Sequence, residues 1–360
     1  MLLLWLGACQ GPFSEDVVDG VRHLSAQISS NPSGTARVRV SVEEGEQAML
    51  STASVAPPNK VHFRSLYGPH DTEAFLSAEW SGSIYSKTNG GFIATTTTLN
   101  WPVLASDVPL SPGRWIFELG VVDEAQRYIG QPVDFELLLK EDPELDGGSL
   151  EVALIFADDL DRDEALAGAV DGAKAIWQAL YAQVGIEVSF ESYAYDGAPL
   201  APPAFGGEPG YVGIAAETPI RSINLVFSEE IDGYSDILGI SGDIPGPLVP
   251  SARSAVQLST LLAAGPDGIY DAEDVRLLAE TMAHETAHFL GLFHPVEREG
   301  WSEYDVLQDT DECDREPQCI QRLGRNLMFP FPVCGIMTCT PQDELTVEQG
   351  EILNRYTGVR

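Results

Sequence analysis

His284-Glu285-Thr286-Ala287-His288-Phe289-Leu290-Gly291-Leu292-Phe293-His294 is the most informative run in this 360-residue chain. His284 and His288 are four positions apart. On a helix they lie one turn apart on one face, where two imidazoles can reach a single cation. Glu285 follows the first of them and is placed to hold and deprotonate a water on that cation. Gly291 suits the left-handed conformation that ends a helix, after which the chain turns back and brings His294 to the same ion. Three nitrogen ligands leave a fourth position open for water, the pattern of a catalytic zinc site rather than a structural one. The chain has six histidines, half of them in this run, which weighs against histidines scattered on an ordinary helix.

Upstream of the run, Asp271 is an N-cap residue with Asp274 three positions on, and Val275, Leu278 and Met282 form an apolar stripe. The spacing predicts a helix over 272–291. Downstream, two short runs carry a methionine: Asn326-Leu327-Met328-Phe329-Pro330 and Gly335-Ile336-Met337-Thr338. Taken together, His-Glu-x-x-His-x-x-Gly-x-x-His resembles the extended signature of the metzincin clan of zinc metallopeptidases. The resemblance implies an α/β (α+β) catalytic domain over 150–360. It implies one zinc held by His284, His288 and His294, with Glu285 as the general base of peptide-bond hydrolysis. It also implies a tight turn with a methionine beneath the zinc. Met328 matches that turn through its Asn-Leu-Met string, with Met337 as competitor and a plain core methionine as the other reading of either. Pro330 stands where some members carry a tyrosine. Substrate is expected to lie extended along an edge strand, for which Ala255–Ser259 is the candidate.

Within the clan the chain resembles the pappalysin-type group. The cues are Asp309-Thr310 followed by Cys313, cysteines around the Met328 turn, and Leu345-Thr346-Val347-Glu348-Gln349 opening a last helix to about Tyr356. Such enzymes can carry calcium where Asp305, Asp309 and Asp311 cluster here; the competing reading is a solvated acidic loop. Asp267, Asp271 and Asp274 around Gly268 lack EF-hand spacing and are better explained by the helix start. His23, His62 and His70 read as ordinary residues.

Earlier in the chain, Leu150 to Phe156 is a buried-type strand. Leu166, Val170, Ala173, Trp177, Leu180 and Val184 follow at helical spacing, and Ile186–Phe190 and Ile223–Phe227 are further strands, an α/β pattern. Residues 36–140 differ. Val38, Val40 and Val42 alternate with polar residues, as do Trp115 to Val121 and Val133 to Leu139, and Pro and Gly clusters separate the runs. That pattern predicts an all-β sandwich accessory domain. Residues 10–35 read as a polar linker, flexible at 29–34, and 141–149 as an interdomain linker. The expectation is thus a two-domain chain, an N-terminal all-β sandwich followed by an α/β peptidase-like domain.

Met1-Leu2-Leu3-Leu4-Trp5-Leu6-Gly7-Ala8-Cys9 resembles the end of a bacterial lipoprotein signal peptide, with residues 1–9 a remnant and Cys9 the lipid acceptor; a frayed apolar terminus is the alternative. Cys313, Cys319, Cys334 and Cys339 remain, an even number that in an exported protein reads as two disulfides of open connectivity; a four-thiolate zinc site competes but lacks paired C-x2-C spacing. Twenty basic and 55 acidic side chains give 20 − 55 = −35. That charge repels nucleic-acid phosphate and anionic lipid, so nucleic acid is excluded as a partner and any membrane contact is through a lipid anchor. The expectations are a monomeric, exported protein, an outer-membrane lipoprotein or secreted, acting on protein or peptide substrates. The rival is a catalytically inactive zinc-binding surface lipoprotein that serves as a binding module. A third reading makes the N-terminal half an inhibitory prodomain.

Overall fold

The structure is a computed structural model and describes residues 13–18, 20–76, 94–142, 144–197, 211–219, 222–265, 267–298, 300–335 and 338–360. These divide between two compact units, one up to Asp142 and the other from Glu144 onwards. Residues 1–9, Cys9 among them, lie outside the described residues, as does Met337.

The first unit holds nine strands: β1 (Ser14–Val18), β2 (Val21–Ser29), β3 (Thr35–Val42), β4 (Glu46–Ser54), β5 (Lys60–Tyr67), β6 (Glu73–Leu76), β7 (Thr96–Trp101), β8 (Gly113–Val122) and β9 (Pro132–Glu141). They form two sheets ordered β1-β2-β9-β4-β7 and β3-β8-β5-β6, with every pairing antiparallel. The alternating residues of β3, β8 and β9 are buried in one common apolar cluster, and Phe117 of one sheet meets Phe135 of the other edge to face. Alternation puts one side-chain set of each strand inside, so the two sheets bury one core between them.

Within the expected linker 10–35, the described residues hold two strands, β1 and β2, rather than a linker. β2 pairs with β9 from Val21↔Lys140 to Ser29↔Pro132. Its buried positions are Val21, Leu24 and Ile28, spaced by three and four, so the two-residue alternation that marks a strand is missing. The stretch 29–34 is a tight turn between β2 and β3. The Asn31 side chain accepts from the backbone N–H groups of Ser33 and Thr35, and Gly34 adopts φ 72°. Residues 141–149 are also shorter as a connection than expected. Glu141 ends β9, while Gly148 and Ser149 open the first strand of the second unit and Ser149 bonds Arg360 through both backbone groups.

The second unit contains β10 (Gly148–Phe156), α1 (Glu164–Ala182), β11 (Ile186–Ala194), α2 (Val212–Ala215), β12 (Ile223–Ser228), β13 (Gly239–Ser241), β14 (Val256–Ser259), α3 (Thr260–Ala263), α4 (Ala272–Phe289), α5 (Glu316–Leu323) and α6 (Val347–Arg355). Its sheet runs β11-β10-β12-β14-β13, parallel except for the antiparallel edge strand β13. α1 starts at Asp163, whose carboxylate caps two backbone N–H groups, and buries Leu166, Val170, Ala173, Trp177 and Leu180. It packs against α4, where the buried Tyr181 hydroxyl donates to the carbonyl of Ala283 (2.9 Å). The mixture of a mainly parallel sheet with packed helices is an α/β layer. Among the described residues no helix is long and apolar enough to cross a membrane.

Candidate metal centre

α4 forms because its first turn is capped reciprocally. The Asp271 carboxylate accepts from the N–H groups of Glu273 and Asp274, and Asp274 accepts in return from the N–H of Asp271. This box satisfies donors that a bare helix start leaves open. The helix is regular to Phe289, two residues short of the expected 291. Gly291 adopts φ 113°, and the N–H of Leu292 returns to the carbonyl of Ala287 (2.9 Å). That reversal is tight enough to bring His294 back over the helix face that carries His284 and His288.

The Nε2 atoms of the three rings converge. His288 and His294 are 3.0 Å apart at Nε2, and His294 and His284 are 3.3 Å apart. The far nitrogens explain how. His284 Nδ1 donates to the carbonyl of Leu327 (2.7 Å), and His288 Nδ1 donates to the carbonyl of Leu292 (2.6 Å). His294 Nδ1 sits at 3.1 and 3.2 Å from the Glu297 carboxylate. Carbonyls and carboxylates only accept, so each Nδ1 carries a proton and each ring turns its Nε2 toward the other two. Burial, followed by the neighbouring His294, pushes His284 down to about 3 and lowers His288 as well, so both stay neutral and their Nε2 atoms present lone pairs. Among the described residues this trio is the only group of three histidine, cysteine or carboxylate donors placed to hold one metal ion.

Glu285 points into the same cleft, a cavity of about 470 Å³ lined also by Gly239, Ile240 and Ser241 of β13 and by Phe329 to Pro332. Burial pushes its carboxyl up to about 8, opposed by a hydrogen bond from the Ser241 backbone. β13 can come this close because residue 239 is glycine: a Cβ there would lie 2.6 Å from Glu285 Cγ and 3.1 Å from Thr281 Cγ2.

The edge strand is therefore β13, and the expected assignment to Ala255–Ser259 is corrected. β14 pairs with β12 on one side and β13 on the other, and its four residues are all buried. The Leu238 carbonyl accepts from the N–H of Ser259 in β14, and the Gly242 N–H donates to the carbonyl of Ala255 just before it. By the two-residue alternation, Gly239 and Ser241 face the free edge.

Asn326 to Phe329 form the tight turn expected around Met328. The Phe329 N–H returns to the Asn326 carbonyl and the Met328 N–H to the Asn326 side chain, while Met328 is fully buried. The turn holds the trio directly, because the Leu327 carbonyl is the partner of His284. A buried amide pair ties it to α6: Asn326 and Gln349 exchange hydrogen bonds of 2.9 and 3.1 Å, and Gln349 also completes the capping box at Thr346.

The four late cysteines pair as Cys313–Cys319 and Cys334–Cys339, so they are not a four-thiolate metal site. Asp305, Asp309 and Asp311 do not form a metal-donor group. Asp305 accepts from Leu307 and Thr310, and Asp309 accepts from the N–H of Glu348 at the start of α6 (2.9 Å). One oxygen of each carboxylate thus ties the loop together, Oδ1 of Asp305 and Oδ2 of Asp309. Sequence reasoning missed Glu297, although an acid three residues after a metal-facing histidine is a signal for such a partner. It also missed Gly239 and Ser241, which no motif marks.

No family model matches the chain, and no curated protein matches it. Over 88% of its length the chain is similar, at 10% identity and a TM-score of 0.29, to 84% of the solved metalloproteinase-II from Bacteroides fragilis. Over 64% it is similar, at 10% identity and a TM-score of 0.15, to 65% of a family two carbohydrate esterase from Cellvibrio japonicus. Likenesses this slight settle neither fold nor activity.

Proposed function

We propose that the second unit is a zinc-dependent endopeptidase of the metzincin type, closest to the pappalysin group. The observation that carries the reading is the convergence of three Nε2 atoms beside the Glu285 carboxyl in one cleft beside a free sheet edge. The donor set fits zinc: three imidazoles, each oriented by an acceptor on its far nitrogen, with no fourth protein donor among the described residues. His284, His288 and His294 would hold the zinc, which would supply an activated water at neutral pH and polarise the scissile carbonyl.

The remaining work falls to the chain itself. A substrate strand adds to β13 through the outward backbone groups of Gly239 and the carbonyl of Ser241, a contact that reads backbone more than side chains. Glu285 takes the proton of the attacking water at its carboxylate and hands it to the leaving amine nitrogen. The two disulfides support an exported protein, because such bonds persist outside the reducing cytosol.

The test is hydrolysis of casein by the purified chain. The reading predicts cleavage that a chelator abolishes and one equivalent of zinc restores. No hydrolysis of any protein, with one zinc bound, would favour a binding module instead.

A further inference from the structure

Arg298 lines the cleft that holds the three histidines, and histidines aside it is the one cationic side chain among the described lining residues. Its guanidinium rests over the ring of Phe331, 5.2 Å from the centroid, and Phe331 lines the same cleft. Arg298 is exposed and makes no ion pair among the described residues. That is unusual in a chain with 55 acidic and 20 basic side chains, where most described arginines meet a carboxylate. A ring face holds a guanidinium in place without neutralising it, which leaves its planar donors free for an incoming carboxylate.

The other charges in the cleft are differently placed. Glu280 is buried and tied to Arg276 (2.7 Å) and to the N–H of Gln342 (3.1 Å). Glu285 is the base. Asp236 is exposed. Among the described residues, Arg298 is thus the one charge lining the cleft that is both placed by packing and unspent.

We propose that Arg298 is a specificity-determining residue that selects substrates with an acidic side chain close to the scissile bond. The inference rests on the peptidase reading of the cleft. It concerns substrate class and runs against the simple expectation that so acidic a protein prefers basic substrates.

The experiment uses the zinc-loaded full chain and a set of peptides built around a casein cleavage site, each carrying Glu, Gln or Lys at one of the positions flanking the scissile bond. In the wild type the ratio of kcat/KM for the Glu peptide over the Gln peptide is expected to reach about tenfold at one position, between the worth of an exposed ion pair and that of a charged hydrogen bond. Arg298→Ala should bring that ratio close to one, and Arg298→Glu should turn the preference toward Lys. A ratio near one in the wild type, or a Glu preference that survives Arg298→Ala, overturns the proposal. A Lys preference in the wild type overturns it too and assigns substrate reading to the exposed Asp236. The same peptides are also titrated by fluorescence anisotropy against zinc-loaded Glu285→Gln, with and without Arg298→Ala. If no peptide is hydrolysed by the wild type while Glu-over-Gln binding persists and depends on Arg298, the peptidase reading fails and the Arg298 assignment stands. Hydrolysis without discrimination overturns the Arg298 assignment and leaves the peptidase reading standing.

Discussion

Each histidine of the trio is set by the group behind it, and the three groups differ. His284 and His288 lean on main-chain carbonyls, which mutation cannot remove, whereas His294 leans on the Glu297 side chain. Glu297→Ala should therefore weaken zinc binding by roughly 10- to 100-fold, the usual effect of deleting such a partner. Competition against a chelating dye measures it, and unchanged affinity would show that Glu297 does not orient the ring. Asp305 makes a separate prediction. Its Oδ2 is buried and makes no hydrogen bond among the described residues. Burial raises its carboxyl to about 7, opposed by Thr310 and Leu307, with Asp309 and Glu348 adding to the rise. The folded chain then keeps a proton that the unfolded chain releases near pH 4. This carboxyl's contribution to stability is present below that pH and is lost as pH rises toward 7. Asp305→Asn has a fixed cost and no such dependence. Denaturant unfolding at pH 5 and pH 8 should show the wild type losing ground to the variant by at most about 3 kcal/mol, two pH units at about 1.4 kcal/mol each. A difference that does not vary with pH contradicts the burial argument.

Elements are legible in the sequence where the pattern is local and regular. α4 announces itself through Asp271, Asp274 and the 275–278–282 stripe, and α6 through Thr346 and Gln349, because caps and helical spacing are written within a few residues. The inner strands β3, β8 and β9 are legible through alternation. β2 is not, since its buried residues are not alternate, and β13 is not, since Gly239-Ile240-Ser241 is too short to show any period. The position of β13 at the edge depends on sheet order, a long-range property that no window of sequence contains. Hence β14, a strand close in sequence to α4, stands in for the edge when only the sequence is read. The hidden strand yields a sharp prediction. Gly239→Ala drives a Cβ against Glu285 and Thr281 on α4. It should lower turnover by at least roughly tenfold, because small displacements of a catalytic group cost much of its effect. Zinc content, measured by plasma emission, should be unchanged. Full activity would mean that β13 does not position Glu285.

At the scale of the molecule, both disulfides lie in the second unit and close short loops of six and five residues' separation. The Cys334–Cys339 loop is fastened to α4: the Cys339 carbonyl accepts from Arg276 (3.0 Å), and its N–H donates to Glu273. Replacing both of its cysteines with serine should cost about 2 kcal/mol of unfolding free energy, the chain-entropy value for a loop this small. A non-reducing peptide map should recover the two pairings. The cysteine count implies two bridges but not their partners, and the histidine motif implies the ligands but not the carbonyls and the carboxylate that aim them; in each case the missing information is three-dimensional. The central claim is that one buried carboxylate beside a three-histidine metal site moves the proton in peptide hydrolysis. The most direct test is Glu285→Gln in the full chain, with zinc content and casein hydrolysis measured on the same sample. The account predicts one zinc per chain and turnover reduced by at least ~10²-fold. Proteolysis at the wild-type rate by a zinc-loaded Glu285→Gln protein would contradict it.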